Sequence, residues 1–289
     1  MKQNTYWATP VNDPNMRCWS SICVGFGRHF RIFQTLLIVP VLLGGTIFTI
    51  SCGRDPEDEL LIFAAASVID VLIDTEKEFE RLSGTNLIFN FAGSQTLASE
   101  IANGAPGDVL ISAGPDPVYF LIERGKLDLE SVVEITRNRL VVAVDSKGEF
   151  NEIYSLSQLN RLDRLSIADP DLAPAGSYAR EALTALQLWD KLASKMVYGS
   201  DVRSTLAYVQ TGNVDAAIVY QTDVRIAKGL IAKDLIPDSA YSSIVYPGAS
   251  LPGSANRRLG RQYLTFLQGE SALRSFDKHG FIVDQRQND

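Results

Sequence analysis

The segment LLIFAAASVIDVLIDTEKEFERLSG, residues 60–84, decides the fold because a buried strand runs directly into an amphipathic helix. The apolar run at residues 60–66 predicts a strand that is covered on both faces. Apolar residues then recur at helical spacing as far as Leu82, and Gly84 suits the C-terminal cap of that helix. A buried strand followed by a helix is the unit from which α/β folds with mainly parallel sheets are built.

Similar strand and helix patterns follow along the chain in two series. The first series predicts strands at 86–91 and 108–112 and helices at 94–103 and 117–124. The second series predicts strands at 140–144, 165–168 and 214–219 and helices at 178–188 and 201–211. The chain then returns to the first series with strands at 244–246 and 281–283 and helices at 255–267 and 270–279.

Two α/β series with a return to the first predict two lobes joined by two hinge crossings. We expect lobe 1 to comprise residues 60–137 and 244–289, and lobe 2 to comprise residues 138–243. Each lobe should contain a mainly parallel sheet with helices on both faces. Ligands of such sheets bind where strands end and helices begin, so the turns at those places are the candidate site.

Several of these turns present neutral hydrogen-bond donors. Ser67 lies in AAAS, Ser94 in FAGSQTLA, Ala175 in APAGSYA, Val202 in SDVR and Tyr220 in AAIVY. A helix start offers unpaired N–H groups and about half a positive charge, although a serine there is more often a plain cap. None of the five positions is Lys or Arg. Such a set suits a fully ionised oxyanion, which accepts hydrogen bonds and has no proton to give.

The sequence resembles the molybdate-binding proteins of ABC importers, which have the type II periplasmic binding-protein fold. The resemblance covers roughly residues 61–283. The matching segments are FAAASV (63–68), FAGSQTLASEI (91–101), GAPGDVLISA (104–113), ADPDLAPAGSYAREAL (168–183), DVRSTLAYVQTGNVDAAIVYQTD (201–223) and KHGFIV (278–283).

The resemblance implies a binding protein that captures molybdate or tungstate and delivers it to a membrane permease. In that family two serine hydroxyls, main-chain N–H groups at helix starts and a tyrosine hold the oxyanion. By motif these are Ser67, Ser94, Ala175, Val202 and Tyr220. We expect a monomer without a cofactor, and molybdenum only within the bound oxyanion. This sequence departs from the family pattern at Gln95, Gly114-Pro115 and Gln221. These departures bear on which oxyanion the site selects.

Composition and charge limit the classes of partner. The chain has 289 residues, of which 46% are hydrophobic and 21% charged, as in ordinary globular proteins. Four of the 27 Lys and Arg and one of the 34 Asp and Glu precede Cys52, so residues 53–289 carry a formal net charge of -10. Nucleic acid is therefore excluded as a partner, since phosphate binding needs a basic surface. A bound anion must be held by short-range groups.

Other functions are compatible with parts of the sequence. A hydrolase could use Ser67 or Ser94 as its nucleophile, but it would need a base, and the only histidine after Cys52 is His279. No G-x-S-x-G motif occurs either. A receptor that reports an oxyanion or another small ligand to a sensor without transport would have the same two lobes. So would a binding protein for another tetrahedral oxyanion such as sulfate. A neighbouring permease gene would distinguish that receptor from a transport protein.

The first 52 residues have the layout of a secretory signal. Basic residues precede a long apolar run at 32–50, which ends in small residues and Cys52. This order resembles a bacterial lipoprotein signal with the lipid on Cys52, followed by a polar tether at 53–59. The alternative is an uncleaved anchor, because the run is about long enough to span a bilayer. Both interpretations place the rest of the chain outside the cytoplasm, in the periplasm and tethered to the membrane.

The lipid attachment can be tested on protein extracted from membranes. We expect mass spectrometry to find a mature chain that begins with a modified Cys52, because this cysteine follows the apolar run and is the last in the sequence. An intact chain that begins at Met1 or Met16 would instead show an uncleaved anchor.

Overall fold

The computed structural model describes residues 59–283, which form two five-stranded sheets with their helices. The predicted signal at 1–52 with Cys52, residues 53–58 of the predicted tether and the last six residues lie outside the described part. Within residues 59–283, no helix is both long enough and apolar enough to cross a membrane.

Lobe 1 is the first sheet with its helices, and elements are numbered in chain order. Its strands are β1 (Glu59–Ala65), β2 (Asn86–Ala92), β3 (Val109–Ile111), β4 (Val132–Asn138) and β10 (Ile244–Ser250). Its helices are α1 (Ile69–Ser83), α2 (Ser94–Ala102), α3 (Asp116–Glu123), α8 (Arg257–Leu267) and α9 (Glu270–His279).

Lobe 2 is the second sheet with its helices. Its strands are β5 (Leu140–Asp145), β6 (Leu165–Ala168), β7 (Met196–Gly199), β8 (Ala216–Tyr220) and β9 (Leu230–Lys233). Its helices are α4 (Pro174–Ala185), α5 (Trp189–Leu192), α6 (Val202–Gln210) and α7 (Gln221–Ile226).

The two sheets have the same topology. Their strand orders are β2-β1-β3-β10-β4 and β7-β6-β8-β5-β9. In each sheet one strand, β10 or β5, is antiparallel to both of its neighbours, and the other four run in one direction. The chain passes between the lobes from β4 to β5 and again from β9 to β10. The predicted two-lobed α/β fold with mainly parallel sheets is confirmed.

Side chains along β1 point alternately to the two faces of the first sheet, and helices cover both faces. Leu60, Ile62 and Ala64 belong to the large core that also contains Phe79 of α1 and side chains of α8 and α9. Phe63 points to the opposite face, where it joins a smaller core with side chains of α2 and α3. Because neighbouring side chains of a strand point to opposite faces, a continuous apolar run indicates a strand that is buried on both.

The sequence missed five short or partly exposed elements, which are β4, β7, β9, α5 and α7. The strands β7 and β9 lie at the edges of their sheet and are half exposed, so they lack a strong apolar run. Helix α4 begins at Pro174, four residues earlier than predicted, because proline suits the first turn of a helix. The predicted strand at 281–283 is a single bridge between Ile282 and Arg137.

Candidate functional site

A small cleft between the lobes is lined by the ends of strands and the starts of helices. Its volume is about 10 Å³. A cavity needs ~10–15 Å³ on this measure to hold one water molecule, so the cleft suits a small ion and not an organic molecule. Its lining residues are Ala65, Ala66, Ser67, Ala92, Gly93, Ser94, Ala113, Ala173, Pro174, Ala175, Asp201, Val202 and Tyr220.

The structure brings all five predicted site residues together in this cleft. Ser67 follows β1 and Ser94 is the first residue of α2, so lobe 1 contributes two hydroxyls. Lobe 2 contributes Ala175 and Val202 in the first turns of α4 and α6, and Tyr220 at the end of β8. Their role as ligand contacts stays a prediction.

The start of α4 leaves one main-chain N–H group free at the cleft. Pro174 has no N–H, and the N–H of Gly176 donates to the carbonyl of Ala173 at 3.0 Å. No described residue accepts from the N–H of Ala175. A Cβ on Gly176 would lie 2.0 Å from the carbonyl oxygen of Ala168, so only glycine lets the helix start pack this closely on the end of β6.

The start of α6 leaves a second N–H group free in the same way. The carboxylate of Asp201 caps the helix by accepting from the N–H groups of Arg203 at 2.8 Å and Ser204 at 2.9 Å. The N–H of Val202 has no acceptor among the described residues. Two helix starts therefore present unpaired donors to one small cleft, which is an arrangement that attracts anions.

Two of the hydroxyls differ in what their proton does. The Oγ of Ser94 accepts the N–H of Ala113 at 3.1 Å, which leaves its own proton available. The hydroxyl of Tyr220 donates to the carbonyl oxygen of Ala113 at 3.4 Å, a contact near the upper limit for a hydrogen bond that a closer acceptor can replace. Burial raises the pKa of Tyr220 well above its ordinary value of about 10, so this hydroxyl stays protonated near neutral pH.

A cation lies beside the cleft, which the sequence reasoning missed. Arg203 of lobe 2 pairs with Asp70 of lobe 1 at 2.6 Å and with the fully buried Asp223 of lobe 2 at 2.9 Å. Its Nη2 also donates to the carbonyl oxygen of Ser67 at 3.4 Å. The guanidinium does not line the cleft. Its charge is thus engaged by two carboxylates, and it links the two lobes next to the site.

Asp223 introduces a titratable group close to the neutral donors. Burial raises the pKa of its carboxyl to about 7, against the opposing effect of the Arg203 guanidinium. Asp223 is not among the five donors predicted from the sequence, and it does not line the cleft. Protonation of Asp223 near neutral pH weakens its pairing with Arg203.

On the other side of the cleft, the lobes are joined by direct contacts. The side-chain amide of Gln95 donates to the carbonyl of Pro170 at 3.2 Å, and the N–H of Thr96 donates to the carbonyl of Leu172 at 3.3 Å. A Cβ on Gly93 would lie 2.2 Å from the Leu172 carbonyl oxygen. The described conformation is therefore a closed one. Gln95 joins the lobes outside the cleft and does not intrude on it.

The structure does not support the hydrolase alternative. The imidazole of His279 pairs with Asp74 at 2.8 Å, and neither residue lines the cleft with Ser67 and Ser94. A serine in this cleft therefore has no histidine to act as its base.

Within residues 59–283, no group of three or more His, Cys, Asp or Glu side chains could hold a metal ion.

Sequence reasoning also missed Asp201, which lines the cleft, and two residues that lie behind it. Asp201 was recognisable, because an acidic residue at a predicted helix start is a typical cap. Asn138 and Tyr246 bond to each other, and Tyr246 bonds to Ser67, across sequence separations of 108 and 179 residues. No local pattern could reveal contacts of that range.

Comparison with known proteins agrees with this geometry. The model of the bacterial extracellular solute-binding protein family matches residues 60–282. A Bacillus subtilis (strain 168) protein, provisionally named ABC transporter substrate-binding lipoprotein YvgL, is 34% identical over 89% of this chain and 99% of its own length. The molybdate-binding protein ModA of Haemophilus influenzae is 31% identical over 86% of this chain and 97% of its own length.

A solved structure shares the same fold. The periplasmic molybdate-binding protein of Azotobacter vinelandii superimposes with a TM-score of 0.70 at 21% identity, over 78% of this chain and all of that one. The family match spans nearly all of the described residues, and both lobes are included in it. The chain therefore belongs to the family of bacterial extracellular solute-binding proteins.

Proposed function

We propose that this protein captures molybdate or tungstate outside the cytoplasm and delivers it to the membrane permease of an ABC importer. The proposal rests on one observation. Neutral hydrogen-bond donors from both lobes converge on a cleft that has the size of a small ion. Two free N–H groups at helix starts and three hydroxyls suit a dianion that only accepts hydrogen bonds. The names of the Haemophilus influenzae and Azotobacter vinelandii relatives support molybdate as the ligand.

Selectivity in this proposal comes from size and from the lack of a free acceptor. A smaller anion such as sulfate would leave some donors unpaired, and each buried unpaired donor costs ~1–3 kcal/mol. Phosphate keeps a proton near neutral pH and needs an acceptor. Asp201 is the one carboxylate among the described residues that line the cleft, and it already accepts from two N–H groups and from the hydroxyl of Ser200.

We propose that the cleft serves binding and release, without a catalytic step. The lobes contact one another on both sides of it, through Arg203 on one side and Gln95 on the other. Opening about the two crossings would break these contacts and expose the ligand to the permease. We infer that the protein acts as a monomer. We keep the lobes expected from the sequence, residues 60–137 with 244–289 and residues 138–243, except that Asn138 ends β4 and so belongs to lobe 1.

We also infer that a lipid on Cys52 tethers the mature protein to the outer side of the cytoplasmic membrane. The relative from Bacillus subtilis is provisionally named a lipoprotein, which supports this inference. A tether would keep the binding protein close to its permease and raise the local concentration of the loaded form.

Calorimetric titration with four oxyanions tests the proposed function. We expect tight binding of molybdate and tungstate, and binding of sulfate and phosphate that is weaker by roughly 30-fold or more, because two missed donors cost ~2–6 kcal/mol. Equal affinity for sulfate and molybdate would contradict the selectivity that we propose. Binding of none of the four anions would refute the function.

Single hydroxyl deletions test the site. We expect Ser67→Ala and Ser94→Ala each to weaken molybdate binding roughly 10- to 150-fold, because a hydrogen bond to a charged ligand contributes ~1.5–3 kcal/mol. The matched control is Ser99→Ala on the exposed side of α2, which should bind as the unmodified protein does.

The two deletions should differ in their effect on stability. Ser94→Ala also leaves the buried N–H of Ala113 without its acceptor, so its ligand-free form should lose ~1–3 kcal/mol of unfolding free energy. Unmodified molybdate affinity in both variants would remove these hydroxyls from the site.

A further inference from the structure

A chain of buried hydrogen bonds leads from the first crossing between the lobes to the hydroxyl of Ser67. The hydroxyl of Tyr246 lies 2.9 Å from the Oγ of Ser67, and the Nδ2 of Asn138 lies 3.3 Å from the same tyrosine hydroxyl. All three side chains are buried, and Tyr246 is completely inaccessible to solvent. Asn138 is the last residue of β4, immediately before the crossing.

The orientation of the Asn138 amide is fixed by its other partners. Its Oδ1 accepts the N–H of Arg139 at 2.9 Å, and its Nδ2 donates to the Oγ1 of Thr222 at 2.9 Å. Rotating the amide by half a turn would place Oδ1 against Tyr246 and Nδ2 against the main-chain N–H, where two donors would meet. Asn138 therefore presents an N–H group to Tyr246.

This orientation determines where the remaining protons point. Because the amide nitrogen can only donate, the Tyr246 oxygen accepts from it and its own proton needs another acceptor. The Oγ of Ser67 is the one acceptor within hydrogen-bond distance among the described residues. Because a lone pair of the Ser67 Oγ accepts the Tyr246 proton, the proton of Ser67 itself is directed away from Tyr246. Ser67 lines the cleft.

We propose that Tyr246 and Asn138 are positioning residues that hold the hydroxyl of Ser67 as a donor to the bound oxyanion. This inference rests on the proposed function. Every bond in the chain runs in the same direction, from the amide through the tyrosine and the serine to the ligand. Bonds aligned in this way polarise one another, so the last donor is strengthened as well as oriented.

The same amide also joins the two lobes. Thr222 belongs to α7 of lobe 2, whereas Tyr246 and Ser67 belong to lobe 1. The two N–H groups of the Asn138 amide donate to Thr222 of lobe 2 and to Tyr246 of lobe 1. The orientation of a ligand donor is thus set at the crossing about which the lobes move.

Removal of the tyrosine hydroxyl tests the proposal. We expect Tyr246→Phe to weaken molybdate binding about three- to tenfold, because the Ser67 proton regains about three staggered orientations and loses its polarising partner. The matched control is Tyr263→Phe. Tyr263 is another fully buried tyrosine of lobe 1, and its hydroxyl has no partner among the described residues, so this variant should keep unmodified affinity.

A double-mutant cycle distinguishes positioning from a general structural role. In the Ser67→Ala background, Tyr246→Phe should change molybdate affinity less than twofold, because the hydroxyl that it positions is absent. An equal loss of affinity in both backgrounds would overturn the proposal, and so would unmodified affinity of Tyr246→Phe alone. Failure of the unmodified protein to bind molybdate would instead refute the proposed function.

A second variant keeps the proposal testable if Tyr246→Phe folds poorly. Asn138→Asp is nearly isosteric and replaces the donor with an acceptor, so the Tyr246 proton would turn toward the carboxylate and Ser67 would donate to Tyr246. We expect at least a tenfold loss of molybdate affinity. The loss should be at least threefold smaller in the Ser67→Ala background, since only direct charge repulsion remains there. Equal losses in the two backgrounds would overturn the proposal.

Discussion

The binding of an anion by a domain of net charge -10 is the constraint on which the rest of the structure depends. Long-range attraction is unavailable, so every favourable interaction has to be made within hydrogen-bond distance and away from water. This requires donors that are already oriented before the ligand arrives. In the site that we propose, strand ends supply Ser67 and Tyr220, and helix starts supply the N–H groups of Ala175 and Val202. The α/β topology places all of them at one edge of each sheet, where two lobes can enclose a small volume.

The two-lobed fold could be predicted from the sequence because the evidence for each strand and helix is local in the chain. Buried strands of both sheets are continuous apolar runs, and most helices have clear apolar spacing and recognisable ends. The edge strands β7 and β9 were missed because half-exposed short strands leave no such pattern. The five site residues could be chosen because each lies in a turn of the family pattern. Asn138 and Tyr246 could not, since their role depends on bonds between distant parts of the chain.

Arg203 lies near the proposed anion site, and its guanidinium does not line the cleft. Its guanidinium joins Asp70 of one lobe to Asp223 of the other, so that its charge is largely compensated where the lobes meet. The ion pair therefore joins the two lobes in the closed conformation. The pKa of Asp223, raised to about 7 by burial, makes this contact sensitive to pH in the neutral range. Measurements of affinity are simplest to interpret above pH 8, where Asp223 stays ionised.

The dependence of molybdate affinity on ionic strength tests the central claim most directly. The measurement is a set of calorimetric titrations above pH 8 in chloride, from about 10 mM to about 150 mM, over which the screening length falls from ~30 to ~8 Å. Neutral donors in a closed cleft predict an affinity that changes less than about threefold or rises slightly, since salt screens the repulsive net charge. A tenfold or larger loss of affinity over this range would show that a cationic side chain holds the ligand, and it would contradict the account.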